Sequence, residues 1–323
     1  MHPNGQLPAY EWNFSDVNPP VHAWAVFRVF KIDETLKGKP DLDFLETVFQ
    51  KLLMNFTWWV NKKDVNGNNI FEGGFLGLDN IGVFDRSDTL PNGESLEQAD
   101  GTSWMAMFSL NMMRIAIELA QYNHIYEEMA TKFFEHFLYI ANALDNMGED
   151  AFSLWDDQDE FFYDAISTKS GESMFLRLRT IVGLIPMFAV EVIEDEILEK
   201  LPVFKARMDY VLKNKQELSS LVSHWEVKGE GGKHLLSLLR GHRLKRLCYR
   251  MLDEKEFLSD YGIRALSKIY EKDPFQIHFN NTDYSVKYTP AESDSGLFGG
   301  NSNWRGPIWF PINFLIIESL QRF

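Results

Sequence analysis

The stretch WMAMFSLNMMRIAIELAQYNHIYEEMATKFFEHFLYIANAL, residues 104–144, decides how the chain is read. Trp104, Phe108, Met112, Ile115, Leu119 and Tyr122 recur at steps of three and four, which places these apolar side chains on one helix face. Met129, Phe133, Phe137, Ile140 and Leu144 repeat the pattern. Only a polar turn at residues 121–124 separates the runs, so the two helices fold back as an antiparallel pair. Working outward, Leu42, Leu45, Phe49, Leu52, Phe56 and Trp59 give a further helix, with Asp41 or Asp43 placed to cap it. The apolar pattern predicts more helices over 181–193, 196–215, 235–252 and 261–270. Trp309, Ile312, Ile316, Leu320 and Phe323 make a last helical face, with Pro307 suited to its start. The expected fold is all-α: one domain, 1–323, of helix pairs whose long connections at 61–98, 147–172 and 273–306 gather into an active face. Connections longer than about 12–15 residues are uncommon unless functional or disordered, and these are rich in aromatics, which disordered segments lack.

Composition narrows the function. Of 323 residues, 45% are hydrophobic and 24% charged, which is that of a globular protein rather than a disordered or repetitive one. The net charge of −15 repels phosphate backbones and anionic lipid surfaces, so neither nucleic acid nor membrane is an expected partner. The N-terminus carries no basic and apolar leader, and no window nears the roughly 20 apolar residues of a membrane span, so a cytoplasmic location is expected. Cys248, the sole cysteine, makes no internal disulfide and reads as a small buried apolar residue. Aromatics reach 14%, rings that fill cores and also stack on sugar faces.

Several chemistries find no support. The 8 His show no metal-ligand spacing, the Gly-rich run at 229–232 lacks the Gly-Lys-Ser/Thr end of a phosphate loop, and no Gly-x-Ser-x-Gly elbow occurs. Neither metal nor cofactor is expected. Carboxylates among aromatics remain. Glu72-Gly-Gly-Phe-Leu-Gly77-Leu-Asp79-Asn80-Ile-Gly-Val-Phe-Asp85-Arg86 sets acids in a Gly-spaced apolar loop. Desolvation there raises a carboxyl pKa and equips it as a general acid, although an Asp in such a loop can equally satisfy backbone amides. Asp100, just ahead of the aromatic-faced helix, reads more simply as a helix-start residue. Trp155-Asp156 with Phe162-Tyr163-Asp164 suits a hairpin or a sugar-facing loop, and Asn303-Trp304-Arg305-Gly306-Pro307-Ile-Trp309 places two indoles and a guanidinium together.

Taken together, Asn18-Pro19-Pro20, Gly77-Leu-Asp79-Asn80, Trp155-Asp156 with Phe162-Tyr163-Asp164, and Asn303-Trp304-Arg305-Gly306-x-x-Trp309 resemble the catalytic domain of glycoside hydrolase family 63, in the family's order. The resemblance spans roughly residues 13–323, and the Trp-Arg-Gly motif is its most specific part. It implies an (α/α)6 toroid and inverting hydrolysis of an α-glucosidic or α-mannosidic bond in a small glycoside or oligosaccharide. It further implies Asp79 as general acid, with Gly77, Asn80, Trp304, Arg305 and Trp309 around the sugar. Arg86 stands seven residues after Asp79, farther than the family's pattern places an Arg. The family's base is a Glu beyond the Trp-Arg-Gly helix, and the chain reaches Phe323 without such a segment. The base is therefore expected outside the chain, which is read as a fragment lacking its N-terminal part and last helices, with Asp85 and Asp100 as in-chain acidic alternatives. Two other readings stay open on the residues: a non-catalytic helical scaffold binding sugars or proteins, and a different hydrolase or lyase pocket. The scaffold reading would favour repeats of about 34–47 residues, and none is found.

Overall fold

The computed structural model of the chain describes residues 1–10, 16–64, 67–74, 76–78, 80–86, 90, 94–145, 153–168, 173–214, 229, 231–290 and 304–323. Its centre is the pair read first from the sequence, α3 (Ala99–Ala120) and α4 (Tyr126–Asp145). Every residue of α3 except Arg114 is buried, as expected for a helix surrounded on all sides. α1 (His22–Lys37), α2 (Leu42–Lys63) and a 3-10 helix (Ile181–Phe188) pack against it, and α6 (Pro202–Asn214) packs against α4. The aromatic count is largely spent here: Phe56 meets Phe108 and Phe133 edge to face, with centroids 5.2 and 5.0 Å apart, a geometry worth about 0.5–1.5 kcal/mol per pair beyond burial.

Helix ends follow local chemistry in some places and tertiary chemistry in others. Asp41 caps α2 by accepting the Phe44 N–H at 3.1 Å. Gly38 ends α1 in the left-handed region at φ 70° and donates its N–H to Glu34. The start of α6 is capped from another helix: the buried Glu127 of α4 accepts the N–H groups of Val203 and Phe204, both at 2.9 Å.

The all-α expectation is overturned. Of the described residues about 49% are helical and 17% strand, so the fold is mixed α/β rather than all-α. Among the described residues the sheets are small and antiparallel: a three-stranded sheet in the order β1 (Ser95–Glu97), β4 (Asp164–Ser167), β5 (Ser173–Leu176), and four two-stranded ones. The run predicted as helix over 181–193 is a 3-10 helix followed by β6 (Val190–Glu194), which pairs with β7 (Lys233–Ser237). Pro186 inside the 3-10 segment lacks the N–H an α-helix needs. The run over 196–215 breaks at Leu201–Pro202 into α5 (Asp195–Lys200) and α6, and residue 215 lies outside the described residues. The run over 235–252 opens on the last three residues of β7, and α7 (Gly241–Met251) begins only after Arg240. Over 261–270 the chain forms β9 (Gly262–Ile263), paired with β8 (Leu258–Ser259), and then a short 3-10 turn (Lys268–Glu271). The last helix, α8 (Phe310–Leu320), starts three residues later than Pro307, with Pro311 in its first turn. Cys248 is half-buried rather than buried, packed at the edge of the core.

Two arrangements position the site. The first is a second apolar cluster, in which Val83, Phe84 and Leu90 meet Ile166 and Leu176 of the three-stranded sheet and Val286 of the hairpin β10 (Phe275–Phe279) with β11 (Thr282–Val286). This cluster holds the far end of the Gly-spaced loop. The second is ionic: Arg179 and Arg250 share Asp159 and Glu256, tying the hairpin β2 (Trp155–Asp156) with β3 (Phe161–Phe162) to α7. Among the described residues, no helix is long and apolar enough to cross a membrane.

Candidate active site

The Gly-spaced loop lies against the first turns of α3, and the contacts are made by the backbone. The Phe71 N–H donates to Thr102 Oγ1 at 3.1 Å, and the Gln98 amide both accepts from the Gly74 N–H at 2.6 Å and donates to the Gly74 carbonyl at 3.0 Å. Gly101 makes the approach possible. A Cβ there would sit 2.6 Å from the Phe71 carbonyl oxygen, so only a residue without a side chain lets the loop come this close. Gly74 and Gly77 take φ of 62° and 71°, the left-handed region that the bends require.

Beneath the loop, Arg86 forks onto Asp100, with Nη1 to Oδ2 at 2.9 Å and Nη2 to Oδ1 at 2.5 Å, and the two side chains are 1% and 0% exposed. Asp100 also accepts the Gly101 N–H at 2.9 Å, so its carboxylate serves the start of α3 as well as the ion pair. Asp164 lies 3.7 Å from Arg86 Nη2 and accepts the Ala99 N–H at 2.9 Å. Burial pushes the Asp164 carboxyl up to about 6, against the pull of Arg86 and with the repulsion of Asp100.

This shift has a consequence for stability. Between the unfolded Asp value of about 4 and about 6, the folded protein holds a proton that the unfolded chain has released. The Asp164 contribution therefore favours folding at low pH, is lost as pH rises through that window, and levels off above it. Asp164→Asn keeps an acceptor for Ala99 and removes the titration. Its stability relative to wild type in urea denaturation is expected to shift in its favour by roughly 1–3 kcal/mol from pH 4 to pH 7. A difference independent of pH would contradict the assignment.

Two further acids near the loop are shifted. Burial raises the pKa of Glu97 and partial burial that of Glu72; Ser95 opposes the shift at Glu97 and Lys63 opposes it at Glu72. The sequence assigns no role to Glu72, Glu97 or Asp164, since nothing in their spacing reports burial.

The Trp-Arg-Gly turn approaches the loop from the other end of the chain. Trp304 and Trp309 are half-buried, with ring centroids 4.4 Å apart and planes inclined by 47°. A Cβ on Gly77 would lie 3.5 Å from Trp309 Cη2, so the indole sits over the Gly77 backbone. Arg305 is only 5% exposed and donates from Nε to the Asn80 carbonyl at 3.0 Å and from Nη2 to the Gly82 carbonyl at 3.1 Å. Gly306, at φ 127°, lies under the Tyr288 ring, which a Cβ would approach to 2.4 Å. The turn is anchored by the Ala265 N–H to the Pro307 carbonyl, 2.9 Å, and the Thr289 N–H to the Arg305 carbonyl, 2.7 Å.

Gly77, Asn80, Trp304, Arg305 and Trp309 thus come together, although 225 positions separate Arg305 from Asn80. Gly77 and the two indoles are partly exposed there, whereas Asn80 is fully buried and the Arg305 fork serves loop carbonyls. Asp79 and Asn303 lie outside the described residues. Asp100 belongs to the Arg86 pair, and Asp85 is half-buried beside that arginine in the chain. Trp155-Asp156 forms a hairpin, where Asp156 accepts the Gln158 and Asp159 N–H groups and pairs with Arg177. A cleft of about 620 Å³ lined by Tyr261, Arg264, Tyr288, Gly306 and Ile308 among others involves neither Trp304 nor Trp309, so it is not the space between the indoles and the loop. Among the described residues no three or more His, Cys, Asp or Glu are grouped to hold a metal ion.

Comparison with known proteins shows the family of the chain. The family model described as the mannosylglycerate hydrolase MGH1-like glycoside hydrolase domain matches residues 3–202, which include the Gly-spaced loop and Asp100 but not the Trp-Arg-Gly turn. The uncharacterized protein YMR196W of Saccharomyces cerevisiae is 56% identical over the whole chain, and the chain spans 31% of that protein's length. An uncharacterized conserved protein from Thermus thermophilus has a similar fold, with a TM-score of 0.52 at 15% identity, covering 99% of this chain and 71% of that one. So does the GH63 mannosylglycerate hydrolase of the same organism in complex with Tris, with a TM-score of 0.51 at 15% identity, covering 99% and 73%.

Proposed function

Because the chain belongs to the MGH1-like glycoside hydrolase family, we propose that it acts as an inverting glycosidase on an α-glucosidic or α-mannosidic bond, with Asp79 as the general acid. The observation that carries this reading is the junction between the loop and the turn: Trp309 over the Gly77 backbone, and Arg305 bonded to the carbonyls of Asn80 and Gly82, on the residues that flank Asp79 in the chain. Half-buried, tilted indoles offer an apolar surface on which a sugar ring stacks. Desolvation in apolar surroundings favours the protonated form of a carboxyl, the form that a general acid needs.

Inversion calls for a second carboxylate that activates water from the opposite face, with the two carboxyls about 6.5–9.5 Å apart. No base is assigned among the described residues. Both oxygens of Asp100 are engaged by Arg86, so Asp100 is not proposed for that role. The substrate class follows the family resemblance: a small α-linked glycoside.

The test is hydrolysis by the protein in its native length of a panel holding methyl α-glucoside, glucosylglycerate and mannosylglycerate, followed by release of free sugar. Release from at least one is expected. Binding, seen as quenching of Trp emission, with no release from any panel member would instead support a sugar-binding scaffold.

A further inference from the structure

Resting on the glycosidase reading above, we infer that Arg305 is a positioning residue rather than a sugar ligand: its fork clamps the Asn80 and Gly82 carbonyls and so fixes the loop relative to the Trp304–Trp309 pair. The guanidinium is 5% exposed, and two of its donors point at main-chain oxygens two residues apart. A planar fork can reach two such carbonyls at once, which an ammonium on a flexible stem cannot hold in the same way. The other end of the lever is fixed as well. The Arg305 carbonyl accepts the Thr289 N–H at 2.7 Å, and Gly306 is pinned under Tyr288. The two indoles stand one residue before and four residues after the arginine, so one side chain sets the spacing between the stacking surface and the backbone that follows Asp79. A misplacement of about 1 Å in such a geometry costs on the order of 100-fold in rate.

The experiment compares wild type with Arg305→Lys, which keeps the charge and loses the fork. Amide hydrogen exchange over residues 76–86 reads the clamp directly, and is expected to quicken about tenfold or more in the variant. Kinetics read its consequence on two substrates, an alkyl α-glycoside, whose leaving oxygen must be protonated, and the matching α-glycosyl fluoride, whose leaving group needs little acid assistance. For the alkyl glycoside, kcat is expected to fall about 10–100-fold with KM within about threefold; for the fluoride, kcat should fall less than about threefold. Unchanged exchange overturns the clamp. A raised KM with unchanged kcat makes Arg305 a sugar ligand, and equal losses on both substrates separate it from acid alignment; either overturns the inference. A wild type that hydrolyses neither substrate overturns the glycosidase reading, and with it the catalytic role given to Arg305, while exchange still decides whether the clamp exists.

Discussion

Asp79→Asn is expected to lower kcat on an alkyl α-glycoside by about 10²–10⁴-fold, the usual contribution of a positioned general acid, while the Kd for the sugar stays within about threefold. The substitution is nearly isosteric and removes only the transferable proton. Its neighbours in the chain hold their places through contacts that do not use the Asp79 side chain: Gly77 under Trp309, Asn80 through its carbonyl to Arg305, and Gly74 through the Gln98 amide. The loop should therefore keep its course in the variant. Steady-state kinetics with a parallel Trp quenching titration checks both halves. Turnover within about threefold of wild type would remove Asp79 from the chemistry.

Arg86→Met carries the largest expected effect on stability. The Arg86–Asp100 pair is bidentate and both side chains are out of solvent, and removing one partner of a buried pair leaves a charge without compensation, at a cost of about 3–5 kcal/mol. That is a large part of the roughly 5–15 kcal/mol by which domains are stable. Asp164 loses its nearest cation at the same time. Urea denaturation should show the loss, and a second substitution, Asp100→Asn in the same chain, should recover about half of it, because the stranded charge is gone while an acceptor for the Gly101 N–H remains. A loss below about 1 kcal/mol in the single variant would mean that the pair does not hold the loop on α3.

The parts of this arrangement legible in the sequence are those that repeat locally. α2, α3 and α4 run 20 residues or more, long enough for a period of three and four to be counted, and Asp41 caps where the pattern begins. Short apolar runs misled for a physical reason: residues over 181–193 are almost all apolar, and such a run suits a buried strand as well as a helix. Strands of two residues, such as Trp155–Asp156 and Phe161–Phe162, leave no period at all. The site divides in the same way. Glycines and aromatics marked where chain and ligand could approach, and Gly77, Trp304 and Trp309 do meet. The partners of the charged groups stayed hidden, since Arg86 finds Asp100 fourteen residues away and Arg305 finds Asn80 at 225. An arginine at a sugar-binding motif suggests a ligand contact from sequence; only its burial and its carbonyl partners reveal the clamp.

The reading of this chain as an inverting α-glycosidase is tested most directly by proton NMR of the first sugar released from an alkyl α-glycoside, recorded before mutarotation mixes the anomers. Inversion predicts that the β-anomer appears first and the α-anomer grows in later. Initial release of the α-anomer would mean retention through a covalent intermediate, and would contradict the account.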